Sequence, residues 1–71
     1  MCKLRIPKAL INLDEIDYFF KCSPSKETKN YWQLNNATPA EIDMWLMSNP
    51  DTAGVKISRR YSEYFPQFAT F

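Results

Sequence analysis

Thr52-Ala53-Gly54-Val55-Lys56-Ile57-Ser58-Arg59-Arg60-Tyr61-Ser62-Glu63-Tyr64-Phe65 supports two opposed readings. As a helix, Thr52 or Asp51 caps it, and Ala53, Ile57, Tyr61 and Tyr64 line one face. Lys56, Arg59 and Arg60 then gather on another face, at i, i+3 and i+4. As a strand, Val55, Ile57 and Tyr61 face inward and Lys56, Ser58 and Arg60 outward, which turns Arg59 toward the core. The helix leaves no charge facing inward and is preferred, although Gly54, Val55 and Ile57 all subtract helix propensity. Pro66 ends either element, and residues 66–71 remain as an apolar tail that must fold back or meet a partner.

Two further helices are announced upstream. In Thr38-Pro39-Ala40-Glu41 the threonine caps, the proline suits the first turn, and the glutamate closes a capping box. Ile42, Trp45 and Leu46 then share a face, and Asn49-Pro50 ends the helix. Asn12-Leu13-Asp14-Glu15 repeats the same grammar, with Leu13, Ile16, Phe19 and Phe20 as its apolar face. Tyr18, Met44 and Met47 point away from these faces. The preferred reading covers them with loops or the tail; the alternative leaves them as a contact strip, a use that suits methionine. Cys22 to Asn30 reads as a loop, and Tyr31-Trp32-Gln33-Leu34 as a short strand or packed extended segment. Lys3, Arg5 and Lys8 alternate with Leu4 and Ile6, so residues 1–8 read as an edge strand kept soluble by charge, or as a basic arm.

The expected fold is therefore a single mainly α domain over 1–71: a small three-helix, helix-turn-helix-like body with a short extended segment. The alternative is α+β, with residues 55–61 as a strand paired to 31–34. Trp45-Leu46-Met47-Ser48-Asn49-Pro50 followed by Ile57-Ser58-Arg59-Arg60-Tyr61 resembles the first two helices of a tri-helical helix-turn-helix domain, over residues 42–61. That resemblance implies a DNA-binding regulator whose helix over 52–65 presents Lys56, Arg59 and Arg60 to the groove. It departs from the family pattern in leaving no room beyond Pro66 for the usual reading helix.

Composition narrows the function. The 71 residues include two tryptophans, four tyrosines and five phenylalanines, but no histidine and one glycine. Histidine is the commonest acid–base group near neutral pH, and a phosphate-cradling loop needs several glycines, so no enzyme, metal site or cofactor is expected. Asp14, Glu15 and Asp17 read as solvated first-turn acids favoured by the helix dipole. No stretch approaches the roughly 20 apolar residues of a membrane span, and Met1–Pro7 carries no apolar signal core, so a cytoplasmic setting with reduced Cys2 and Cys22 is expected.

A net charge of +1 weighs against a dedicated nucleic-acid binder. The leading expectation is a non-catalytic regulatory or inhibitory protein that occupies an acidic patch on a larger protein complex. Phage-type proteins acting on host transcription (RNA polymerase) or defence machinery are the genre. Arg59, Arg60, Tyr61, Tyr64 and Phe68 would anchor the partner, with Met44 and Met47 at the rim. Nucleic acid held by Lys3, Arg5, Lys56, Arg59 and Arg60 is the second choice. A structural subunit stabilised by its complex is the third.

Overall fold

Alternation in the first strand sets the architecture. In β1 (Cys2–Pro7), Cys2, Leu4 and Ile6 are buried, while Lys3 is exposed and Arg5 and Pro7 are half-buried. Such a period-2 pattern gives a sheet one covered face and one open face. The computed structural model describes residues 2–71 and places β1 at the centre of a five-stranded sheet, order β2-β3-β1-β4-β5. The other strands are β2 (Lys26–Glu27), β3 (Tyr31–Ala37), β4 (Lys56–Ile57) and β5 (Ala69–Thr70). Residues 1–8 thus supply a central strand rather than an edge or an arm; Met1 lies outside the described residues.

β3 runs antiparallel to β1 on one side, and β4 antiparallel to it on the other. Between the Cys2–Ala37 and Leu4–Leu34 pairs the register shifts, so Asn35 and Asn36 share the space opposite Lys3. This irregularity lets both Leu34 and Ala37, an odd number of residues apart, reach the core.

Helices α1 (Leu13–Phe20) and α2 (Pro39–Ser48) pack beside each other as the second layer. Both begin as the sequence predicts. Asn12 Oδ1 accepts from the Glu15 backbone N–H at 2.9 Å while the Glu15 carboxylate accepts from Asn12 N–H at 3.1 Å. Thr38 and Glu41 form the equivalent box, at 3.2 and 3.0 Å, with Pro39 in the first turn. Ile16, Phe20, Ile42 and Trp45 are buried, and the Phe20 and Trp45 rings lie 6.3 Å apart at the helix–helix contact. Full burial of such side chains is worth about 1.5–3 kcal/mol each. The Trp32 indole N–H donates to the Ile11 carbonyl at 3.0 Å, and Asn49 Nδ2 donates to the Leu10 carbonyl at 3.1 Å, tying the loop before α1 to β3 and α2. Tyr18, Met44 and Met47 are exposed, so no loop or tail covers them; Leu13, expected on the apolar face of α1, is also exposed, at the first position of the helix.

The fold is α+β, which overturns the mainly α three-helix expectation. Residues 52–65 are not a helix, and the cause is local. Gly54 sits at φ 81°, a left-handed conformation that closes a turn in which Val55 N–H donates to the Thr52 carbonyl at 3.1 Å. A Cβ there would lie 3.0 Å from the Pro7 ring. The β-branched residues beyond it then favour extended backbone. The strand that follows is only Lys56–Ile57, and it pairs with Leu4 and Arg5 of β1 rather than with residues 31–34. The single-element choice that would have buried Arg59 never arises. The chain leaves the sheet after Ile57 in a 3-10 turn, Arg59–Tyr61, where Tyr61 N–H donates to the Ser58 carbonyl at 2.9 Å and both arginines reach solvent.

From there the chain crosses over to β5, which runs parallel to β4, with Lys56 opposite Ala69 and Ile57 opposite Thr70. Phe65 and Phe68 are buried on this crossover with stacked rings 5.6 Å apart. Segment 66–71 is therefore an integral part of the domain: Phe68 faces the core and Ala69–Thr70 complete the sheet.

Gly54→Ala should destabilise the domain by about 1–2 kcal/mol, since an L-residue is strained at that φ and its methyl group meets Pro7. Chemical denaturation would show a lower midpoint with an unchanged slope. Thr38→Ala, which removes a cap, should cost about 1 kcal/mol in the same measurement.

Candidate functional site

Cross-strand partners in a sheet point to the same face, so the register identifies who stands beside whom. Lys26 is opposite Gln33, Gln33 opposite Arg5, Arg5 opposite Lys56, and Lys56 opposite Ala69. These five residues form one row across all five strands, on the side away from the helices. Lys3, Asn35, Tyr31 and Phe71 flank the row. Every one of these side chains is exposed or half-buried, so no other segment covers this face. Among the described residues no pocket is found, and the face is a surface rather than a cleft.

Arg5 is the centre of the arrangement. Its guanidinium lies 4.6 Å from the Tyr31 ring centroid and 4.6 Å from that of Phe71. Lys3 Nζ stands 5.8 Å over the same Phe71 ring. Cation–π contacts of this kind are worth about 0.5–1 kcal/mol each at exposed sites. Against them stands Arg5 Nε, which is shielded from solvent and has no hydrogen-bond partner. An unsatisfied buried donor costs about 1–3 kcal/mol. The rings hold the guanidinium in place without satisfying it.

Charge is divided between the layers. Lys3, Arg5, Lys26 and Lys56 lie on the open face. The one acidic strand residue, Glu27, is in register with Trp32 and so belongs to the covered side, where its carboxylate takes the Lys8 ammonium at 2.7 Å. That is the only ion pair among the described residues. The helices carry Asp14, Glu15, Asp17, Glu41 and Asp43, five of the eight acidic residues, and no lysine or arginine. A net charge of +1 is the sum of a basic face and an acidic one, so it does not bear on either face separately.

The structure separates the residues singled out from sequence. Lys3, Arg5 and Lys56 come together on the sheet. Arg59 and Arg60 sit on the 3-10 turn, where Arg60 lies 5.7 Å over the Tyr61 ring and Tyr61 and Tyr64 are 6.4 Å apart. Tyr64 is 71% exposed, whereas Phe68 is 5% exposed and unavailable as an anchor without unfolding the crossover. Met44 and Met47, at 57% and 87% exposure, stand on the outer side of α2. A helix carrying Lys56, Arg59 and Arg60 into a DNA groove does not exist. Lys26, Tyr31, Gln33 and Phe71 were missed; the alternation Tyr31-Trp32-Gln33-Leu34 was the available signal for two of them.

Both thiols are free. Burial pushes the Cys2 thiol up, and burial with the nearby Glu41 and Asp17 carboxylates does the same for Cys22, so both are held as thiols at neutral pH. No group of three or more potential metal ligands exists among the described residues, and no helix there is long and apolar enough to cross a membrane. Comparisons with protein-family models, curated proteins and solved structures find no match to this chain.

Arg5→Leu should leave stability within about 1 kcal/mol of the parent, because the lost cation–π contacts are offset by removal of an unsatisfied Nε–H. Thermal unfolding monitored by circular dichroism checks this. A much larger loss would make Arg5 a structural residue rather than a binding one.

Proposed function

We propose that the chain is a non-catalytic binding domain that holds a polyanionic partner against the open face of its sheet. One observation carries this reading: four cations share a face on which no strand position is acidic, and the central one lies against two aromatic rings. Lys3, Lys26 and Lys56 are exposed and supply attraction over a Debye length, about 8–10 Å. Arg5 is already oriented, so little of its rotamer freedom remains to be lost on binding. A partner anion would bring acceptors to a guanidinium that the fold leaves short of them.

Exposure of Tyr18, Met44, Met47 and Tyr64 favours a second contact, with protein. Large apolar side chains at adaptable positions suit a docking surface. A cytoplasmic regulator of a larger complex, in transcription or defence, would use such a surface alongside the basic face.

Salt elution from an immobilised polyanion such as heparin tests the first reading. The Lys3→Glu/Lys56→Glu variant should elute at clearly lower salt than Arg59→Glu/Arg60→Glu, although both change net charge equally. Equal shifts, or a larger one for the arginine pair, would remove the sheet face from the argument.

A further inference from the structure

The open face carries more than charge. Lys26, Arg5 and Lys56 lie in one cross-strand row with Gln33 among them, and Tyr31 and Phe71 bracket the row's centre. At about 4.8 Å per strand, the three steps from Lys26 to Lys56 span about 14 Å. Gln33 Nε2 donates to Asn35 Oδ1 at 3.1 Å, which leaves side-chain Oε1 of Gln33 and Nδ2–H of Asn35 as further amide acceptor and donor groups on this face. Phosphate-like charge, flat π surfaces and amide groups are thus all addressed from one plane. We infer that the polyanion is an unpaired nucleic-acid strand, with its phosphates along the Lys26–Arg5–Lys56 row and its bases laid against Tyr31 and Phe71. This rests on the reading of the sheet face as the binding surface.

Three classes of polyanion compete for that face, and the observations divide them. Duplex nucleic acid offers phosphates but keeps its bases stacked, and this face has no helix or projecting ribbon to enter a groove. An acidic peptide offers carboxylates, for which a half-buried Tyr31, an exposed Phe71 and paired amides add little. An unpaired strand uses every feature present, because each base has a π face to stack on an aromatic ring and edges to meet amides. Arg5 would serve both ends of the contact: its guanidinium already lies 4.6 Å from each ring centroid, and its terminal N–H groups suit a phosphate.

Fluorescence anisotropy with labelled 12-nucleotide DNA and RNA strands, the matching duplex, and poly-glutamate as competitor decides the matter. Single strands of either sugar should bind more tightly than the duplex and resist poly-glutamate. Tyr31→Leu and Phe71→Ala should each weaken strand binding about five- to hundred-fold, with Tyr31→Phe close to the parent. Lys56→Ala should lower the slope of log K against log salt by about 0.7, while Arg59→Ala leaves it unchanged. Folding of every variant is checked by its thermal transition, and Phe71, at 39% exposure, provides a variant that leaves the core intact. Preference for the duplex, or full strand binding by both aromatic variants, would overturn the inference and leave the polyanion reading standing. So would displacement by poly-glutamate. Failure of every probe to bind would overturn both.

Discussion

Everything in this domain is arranged around one half-buried strand. β1 is hydrogen-bonded on both sides, so its backbone is satisfied by the sheet and its side chains alternate strictly between two environments. Cys2, Leu4 and Ile6 on one side define where the helices must lie. Lys3 and Arg5 on the other cannot be covered without desolvating charge, which keeps that face open. A slip of one residue would invert both faces, and apolar Leu34 and Ile57 in register with Leu4 make that slip expensive. The same six residues thus set which face of the sheet is covered and which is open.

The two helices fit this division through their ends as much as their apolar faces. A capping box requires an acidic or amide residue at its third position, and both boxes use glutamate. First-turn acids are favoured at the positive end of a helix dipole, so helix initiation itself loads one layer with negative charge. The sheet layer, free of that requirement, concentrates lysine and arginine. Part of the charge separation across the molecule, that of Asp14, Glu15 and Glu41, thus follows from local folding chemistry.

Local rules explain which parts of the structure were legible. The Asn12–Glu15 and Thr38–Glu41 boxes are complete within four residues, and both helices begin where those residues place them. Residues 52–65 were misread because their state depends on distant partners: Pro7 beside Gly54, and Leu4 and Arg5 beside Lys56–Ile57. The inference that a strand would bury Arg59 assumed one continuous element, whereas two residues of strand and a 3-10 turn remove the conflict. In the first eight residues the alternation was read correctly, but nothing in it distinguishes an edge from a centre. That distinction lies in the second neighbour, β4, fifty residues away in sequence. Of the basic residues, Lys3, Arg5 and Lys56 were named from sequence, yet their assembly around Tyr31 and Phe71 is a product of register alone.

The outermost strands carry a consequence of their own. β2 and β5 are each two residues long, and β2 is Lys26–Glu27, two opposite charges side by side. An edge of that kind offers an incoming strand too few unpaired backbone groups to hold it, and charges that resist being buried by it. β1 lies in the interior of the sheet, and the longer β3 is paired on its outer side only at Trp32 and Gln33. In a 71-residue chain rich in aromatic residues, such short edges, charged at β2, disfavour edge-to-edge pairing at these two strands. Each margin of the sheet thus ends in a two-residue strand that gives an added strand little to pair with.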